Sequence, residues 1–207
     1  MGSYTVTGIL VSHRDVREAD RLITVFTTSH GKLTCIAKGV RKIHSKLAGS
    51  LQPLIQAQLG IVQGRRFDII ISSDVLRYYQ VLHSDSRRLA LAEYCAHITA
   101  ATTSLRQPDR RVFALLDSVL EILDTSAQRP VVPVGWYYAW HVLALSGYEP
   151  QLDVSVISKQ PIRPGNNVFH IAKGGIAGRG EVPADKHCMP VSDDTIKVLR
   201  YIMDHDI

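Results

Sequence analysis

The lysines and arginines of the first eighty residues are the side chains of this 207-residue chain whose number and spacing indicate a chemistry. This segment holds eleven of them against five acids, whereas the rest of the chain holds thirteen against fourteen. From Arg21 to Phe67 there is no Asp or Glu, and eight Lys or Arg fall in that stretch. Charge segregated in this way favours a polyanionic partner, above all nucleic acid. A merely solvated basic face is the alternative at this point.

The elements that position these cations are predicted to be strands. Segments rich in Val, Ile, Thr and Leu cover 4–13, 21–28, 32–38, 51–62 and 67–79, with turn residues between them. Five strands in under 80 residues, with a gap after the third that has room for a short helix, fit a small closed barrel. An OB-fold is the favoured interpretation, and an SH3-like barrel is the alternative.

Alternation along the third strand decides which way its lysines point. Leu33, Cys35 and Ala37 share one face, so Lys32 and Lys38 stand on the outer face. The hairpin tip between the last two strands adds further cations at a position that OB-folds use for nucleic acid. The cations that we predict to contact nucleic acid are Arg14, Lys32, Lys38, Arg41, Lys42, Lys46, Arg65 and Arg66.

From residue 84 onwards the hydrophobic period is helical. We predict helices over 85–105, from Pro108 onwards, over 134–145 and over 193–203, the last capped by Ser192. Residues 148–190 carry five prolines and little periodicity, so they are predicted to be loop-rich. The expected division is a barrel at 1–80, a helical bundle at 81–150, a loop-rich insert at 151–190 and a C-terminal helix at 191–207.

Six side chains on the predicted helices are candidates for contact with a protein partner. Arginine pairs begin two helices, where the helix dipole disfavours cations, and aromatic residues crowd the third helix. Packing inside the bundle is the alternative for the aromatic residues. The candidates are Arg87, Arg88, Arg110, Arg111, Trp136 and Trp140.

Three cysteines at unrelated positions fit no disulfide framework, and no apolar run approaches the ~20 residues that a membrane helix needs. We therefore expect a cytoplasmic protein, associated with the nucleoid if its partner is DNA. No catalytic residue, cofactor or metal ligand is predicted.

An ordered series of short motifs carries a resemblance to a known family. The series is Glu18-Ala19-Asp20-Arg21, Gly31-Lys32, Ala37-Lys38-Gly39-Val40-Arg41-Lys42 and Leu51-Gln52-Pro53, with Gly147-Tyr148-Glu149-Pro150 at the end of the helical region. In this order the motifs resemble RecO, a family of bacterial recombination mediator and DNA-annealing proteins.

The resemblance implies an α+β fold, in which a five-stranded OB-fold barrel precedes an α-helical domain. It also implies a non-enzymatic protein that binds single- and double-stranded DNA, anneals complementary strands without ATP and helps to load recombinase onto coated single strands. The partners that it implies are RecR, RecF and the C-terminal tail of single-strand-binding protein. It places DNA binding at Lys38, Arg41, Lys42 and Lys46.

One departure from the family concerns zinc. Many relatives carry two Cys-X-X-Cys pairs after the helical region, where this chain has Ser155-X-X-Ser158 and Gly178-X-X-Glu181. A structural zinc site needs four thiolate or imidazole ligands, which these residues do not supply. We therefore predict a zinc-free, degenerate, zinc-finger-like insert.

Two other classes of function stay open at this stage. A metal-dependent nuclease requires clustered carboxylates, which the basic stretch lacks. An RNA-binding OB-fold protein is disfavoured by the scarcity of aromatic residues near the cations and by the helical region that follows.

Binding to nucleic acid should depend steeply on salt. About five phosphate contacts on a single strand give a slope of roughly −3.5 in a plot of log affinity against log salt. Sequence preference should be weak, because few aromatic residues are placed to stack on bases. Fluorescence anisotropy across a salt series measures the slope, and a value near zero would contradict phosphate contact.

Overall fold

The computed structural model of the chain describes residues 2–125, 130–182 and 187–205. The chain divides into two compact units, Met1–Tyr138 and Ala139–Ile207. The strands are β1 Ser3–Val16, β2 Asp20–Thr27, β3 Gly31–Ala37, β4 Ile55–Val62, β5 Asp68–Tyr78, β6 Asn167–His170, β7 Gly175–Gly178 and β8 Cys188–Val191. The helices are α1 Gln80–Ser84, α2 Ser86–Thr102, α3 Arg110–Thr125, α4 Val131–Leu145 and α5 Asp193–Asp204.

The first five strands close into a barrel with the order β1-β2-β3-β5-β4. The long first strand pairs with β4 along its first half and with β2 along its second, and its register shifts between Leu10 and Ser12. Buried apolar side chains from all five strands fill the interior. The prediction of an α+β fold with a five-stranded barrel before helices is confirmed. The short helix for which the gap after β3 has room is absent, because residues 46–50 form turns.

The seam between β3 and β5 is short. These two strands are parallel and pair only at Cys35 with Asp68 and at Ile36 with Ile69. The first half of β3 is instead bridged by the segment between α2 and α3, where Leu105 pairs with Lys32. Gly31 is needed beside this segment, because its φ is +65° and an added Cβ would lie 2.1 Å from the Gln107 carbonyl oxygen. The linker between two helices therefore completes the wall of the barrel.

A buried carboxylate lies at the seam. Asp68 is 4% exposed, and its oxygens accept hydrogen bonds from the Tyr4 hydroxyl at 2.6 Å and from Arg106 Nη2 at 2.8 Å. The Gly64 N–H adds a longer bond at 3.3 Å. Burial alone would raise the pKa of Asp68, but these hydrogen bonds and the Arg106 charge outweigh it and lower the pKa. The ionised side chain ties β1, the β4–β5 hairpin and the linker together.

Helices α2 and α3 form in the segments predicted to be helical, and a short helix, α1, precedes them. The buried face of α3 follows the predicted periodicity, but α2 buries Ala92, Ala96 and Thr99 and leaves Tyr94 half exposed. Asp85 caps α2 by accepting the Arg87 and Arg88 N–H groups. Asp109 accepts N–H bonds from Arg111 and Val112 in the first turn of α3, so this helix starts just after Pro108. No helix within the described ranges is long and apolar enough to cross a membrane.

The second unit contains a small sheet that the sequence analysis missed. Strands β6, β7 and β8 form an antiparallel sheet in the order β7-β6-β8 within the segment predicted to be loop-rich. Each strand has only four residues, too few for an alternating pattern to stand out. The predicted cap of the last helix is confirmed, because the Ser192 hydroxyl accepts the Thr195 N–H at 3.1 Å.

Replacement of Asp68 by Asn should lower the free energy of unfolding by about 1–3 kcal/mol at neutral pH, because the Tyr4 and Arg106 donors lose an ionised acceptor. A lowered carboxyl pKa contributes stability that is present above the ordinary value of 3.8 and lost as the pH falls through the folded value. The difference between wild type and variant should therefore shrink in acid. Urea unfolding between pH 3 and pH 7 measures it.

Asp74→Asn is the matched control, because Asp74 lies on the same strand with an exposed side chain. This variant should unfold as wild type does. Equal stability of the Asp68 and Asp74 variants at pH 7 would show that the seam does not depend on the buried carboxylate.

Candidate nucleic-acid interface

The third strand has the predicted alternation. Leu33, Cys35 and Ala37 are buried in the barrel, whereas Lys32 is half-buried and Lys38 is exposed. The two lysines have different surroundings, because Lys32 Nζ donates a hydrogen bond to the carbonyl oxygen of Ala100 in α2. Lys32 therefore holds a helix against the barrel, and its amine is partly used within the protein.

The loop after β3 presents three lysines to solvent. Lys38, Lys42 and Lys46 are exposed, and none of them forms an ion pair with any residue that the structure describes. The loop is anchored by its backbone, since the Gly39 N–H donates to Asp20 Oδ1 at 2.8 Å and the Arg41 N–H donates to the Ala19 carbonyl at 3.0 Å. The backbone is thus held while the ammonium groups stay available to phosphates.

Arg41 differs from these lysines. Its Nε lies 3.2 Å from Asp15 Oδ2, and its Nη1 donates to the Glu18 carbonyl oxygen at 3.1 Å. Asp15 also accepts a bond of 2.7 Å from Arg21, and this hydrogen bond is the main reason that its pKa is lowered. One carboxylate therefore serves two guanidinium groups, and the cluster keeps a net positive charge. Asp15 thus holds Arg21 and Arg41, while Asp20 Oδ2 lies 3.9 Å from Arg17 Nη1.

The loop also exposes an apolar side chain that the sequence analysis did not single out. Ile43 is 97% exposed and lies between Lys42 and His44. No periodic pattern marks it, because the loop has no regular secondary structure.

Arginines from distant parts of the first unit meet at a second place. Arg14, Arg66 and Arg106 line one pocket of about 300 Å³, together with Lys32 and Asp68. Arg66 lies over the Phe67 ring, 5.5 Å from its centroid. Arg65 is exposed at the neighbouring hairpin tip. Arg106 was missed by the sequence analysis because it belongs to the linker between two helices, outside the predicted barrel.

The six partner candidates have different environments. Arg88 is 4% exposed and donates to the Leu123 carbonyl oxygen at 2.6 Å, so it joins α2 to α3 inside the bundle. Arg111 pairs with Asp109 at 3.5 Å, while Arg87 and Arg110 are exposed. In the first unit, the Trp136 side chain is exposed.

Trp140 belongs to the second unit. It packs edge-on against Phe169, with the ring centroids 6.2 Å apart. The two rings line an apolar pocket together with Met189 and Leu199.

The four positions that the resemblance assigns to zinc ligands do come together. The Ser155 and Ser158 hydroxyls donate to the two carboxylate oxygens of Glu181, the second at 2.7 Å, and the Gly178 N–H donates at 3.3 Å. These bonds lower the pKa of Glu181, with the Ser155 bond the largest cause. Hydroxyl groups, one carboxylate and a glycine do not fit a structural zinc site. Within the described ranges, no group of three or more His, Cys, Asp or Glu could hold a metal ion.

A closed barrel with the strand order β1-β2-β3-β5-β4, followed by helices, defines the class of OB-fold proteins with a helical domain. Comparisons with known proteins are more specific. A family model for the N-terminal part of recombination protein O matches residues 1–79, and one for the C-terminal part matches residues 83–207. The chain therefore belongs to the RecO family, and the suspected resemblance is confirmed.

Individual relatives agree with this assignment. The chain is similar to the DNA repair protein RecO of Dehalococcoides mccartyi, with 28% identity over 99% of this chain and 79% of the relative. For the RecO protein of a Roseiflexus species the identity is 29%, over 96% and 69% of the two chains. For that of Gloeothece citriformis it is 30%, over 77% and 57%. The family and these names support a role in DNA repair and recombination.

Replacement of Glu181 by Gln should destabilise the second unit, because the amide group cannot accept both serine hydroxyls. The loss should be about 1 kcal/mol, or a fall in Tm of about 2–4 °C. Since the pKa of Glu181 is lowered, its contribution is present above the ordinary value of 4.5 and lost as the pH falls below it. Thermal melts at pH 7 and pH 3.5 measure the expected convergence of variant and wild type.

The double variant Ser155→Ala/Ser158→Ala is the control, because it removes the donors and keeps the carboxylate. It should lose at least as much stability as Glu181→Gln at pH 7, because the Ser155 hydroxyl also accepts the Ile157 and Ser158 N–H groups. One equivalent of tightly bound zinc, found by elemental analysis of the purified wild type, would contradict the hydrogen-bonded interpretation.

Proposed function

We propose that this protein binds single- and double-stranded DNA through the cations of its barrel and anneals complementary strands without a covalent reaction. The observation that carries the proposal is the loop after β3, where Lys38, Lys42 and Lys46 are exposed and unpaired within the described residues. Arg65 at the hairpin tip and Arg14 at the barrel surface add further positive charge. DNA as the ligand also fits the repair role of the family.

The physical role of these groups is neutralisation of phosphate charge. Two complementary strands repel each other through their phosphates, and bound cations lower this repulsion while they release counterions. Lysines contact phosphates as point charges without reading bases, so any pair of complementary strands is a substrate. Annealing by this route needs neither ATP nor a metal ion. In the cell we expect it to take place where DNA lies, at the nucleoid in the cytoplasm.

We also propose the protein partners RecR, RecF and the tail of single-strand-binding protein, and a part in the loading of recombinase onto coated DNA. This proposal is supported by membership of the RecO family. The candidates for such contacts in the first unit are the exposed side chains of Arg87, Arg110, Arg111 and Trp136. In the second unit the candidate is the apolar pocket lined by the half-buried Trp140. Arg88 is not among these candidates, because its side chain is buried and donates to the Leu123 carbonyl oxygen.

The triple variant Lys38→Ala/Lys42→Ala/Lys46→Ala should lose DNA binding and annealing while it keeps its Tm. Three lost phosphate contacts lower the magnitude of the salt slope on single strands by about 2 and weaken affinity at least tenfold at low salt. The Tm should hold, because none of the three side chains forms an ion pair with a described residue. Anisotropy, annealing of labelled strands without ATP and thermal melts measure the three quantities.

Arg163→Ala/Lys173→Ala/Arg179→Ala is the matched control, since it removes the same charge from exposed positions of the second unit. It should anneal as wild type does, and equal losses in both triple variants would argue against a specific interface. Strand cleavage on addition of Mg²⁺ would instead favour a nuclease, and tighter binding of RNA than of DNA would favour an RNA-binding protein.

A further inference from the structure

The pocket lined by Arg14, Arg66 and Arg106 combines features that the lysine loop lacks. It is concave, and its volume of about 300 Å³ is at the lower end of small-molecule sites. Apolar groups form part of its wall, including Phe67 and the exposed side chain of Leu105. A duplex is far too wide for a cavity of this size, whereas one nucleotide is of the right order.

The three arginines have unused hydrogen-bond donors. Arg14 and Arg66 are exposed and form no ion pair with any described residue. Arg106 donates Nη2 to Asp68, but its side chain is 62% exposed and its other N–H groups point to no described acceptor. Guanidinium groups bind phosphate oxygens in a bidentate manner, so this set provides an anion site.

Asp68 fixes one member of this set. The buried carboxylate holds Arg106 at the mouth of the pocket, while its other bonds go to Tyr4 and Gly64. The Arg106 N–H donates to the Lys32 carbonyl oxygen at 2.9 Å, so the residue is held at both its backbone and its side chain. Its φ of +58° is a strained conformation for a non-glycine residue. Because Arg106 is already constrained in this way, it loses little conformational entropy when a ligand binds.

Two planar groups lie close together at the hairpin tip. The Arg66 guanidinium carbon lies over the Phe67 ring, 5.5 Å from its centroid. Nucleobases stack on aromatic rings and on guanidinium planes, and every base has such a face. N–H groups that can bind a phosphate therefore lie beside groups on which a base can stack, and a nucleotide has both parts.

We propose that this pocket binds one nucleotide of a single strand, with the phosphate on the arginines and the base against Arg66 and Phe67. The inference rests on the proposed function and deepens it, because it adds a contact that a paired, stacked base in a duplex cannot make. The barrel then binds single strands more tightly than the lysine loop alone would.

The test separates base contact from phosphate contact. Its probes are a 20-nucleotide dT strand, a 20-unit strand of abasic sites with the same phosphates, and a duplex. Wild type should bind the dT strand about tenfold more tightly than the abasic strand. The variant Arg14→Ala/Arg66→Ala should bring this ratio to about twofold or less, because the base loses the guanidinium plane of Arg66 and the phosphate loses two of its three arginines.

Lys42→Ala/Lys46→Ala is the matched control, since it removes the same charge outside the pocket. It should weaken binding of all three probes and leave the ratio of about ten between dT and abasic strands unchanged. Phe67→Leu is the second pocket variant, which should lower the ratio without any change of charge. Thermal melts establish that each variant is folded.

Several outcomes would overturn the inference. If wild type binds dT and abasic strands equally with a steep salt slope, the proposed function stands and the nucleotide pocket is wrong. If wild type binds neither strand, both are wrong. If a polyglutamate peptide displaces the dT strand from wild type but not from Arg14→Ala/Arg66→Ala, the pocket belongs to an acidic protein segment.

Discussion

The ionised carboxylate of Asp68 is the group on which the closure of the barrel depends. A buried charge is costly unless hydrogen bonds and an opposite charge compensate it, and Tyr4, Gly64 and Arg106 supply that compensation from three separate parts of the chain. Because the parallel seam between β3 and β5 has only two residue pairs, the bonds of Asp68 and the backbone contacts of the linker with Lys32 supplement it on this side of the barrel. The same carboxylate that closes the fold thus also places a cation at the mouth of a pocket.

The carboxylates of Asp15 and Asp20 hold the loop after β3 in place and do not neutralise its lysines. Asp20 accepts a backbone N–H of Gly39, and Asp15 is shared by two arginines, so neither acid cancels the lysines of the loop after β3. Exposed ion pairs contribute little to stability, so the effect of these acids lies in the conformation that they fix. The result is a well-anchored loop with a positive surface, which fits the proposed contact with phosphates.

In the second unit, hydrogen bonds join residues at the positions where many relatives have zinc-binding cysteines. Ser155, Ser158 and Glu181 come together through charge-assisted hydrogen bonds at the place where thiolates would be needed for a metal. Such bonds are individually weaker than metal coordination, and apolar packing around Val168 and Ile176 accompanies them. The unit therefore has a small hydrophobic core next to its polar network.

The sequence by itself determined what depends on local periodicity. Alternation placed Leu33 inside and Lys38 outside, helical spacing located the bundle, and the Ser192 cap followed from its side-chain chemistry, because each of these patterns is complete within a few neighbouring residues. The tertiary structure alone decided which distant groups meet. Arg106 reaches Asp68 across 38 positions, Lys32 turns to Ala100 in α2, and Arg88 is buried against α3. No local pattern encodes such contacts, because they arise only when separate elements pack and buried polar groups must find partners.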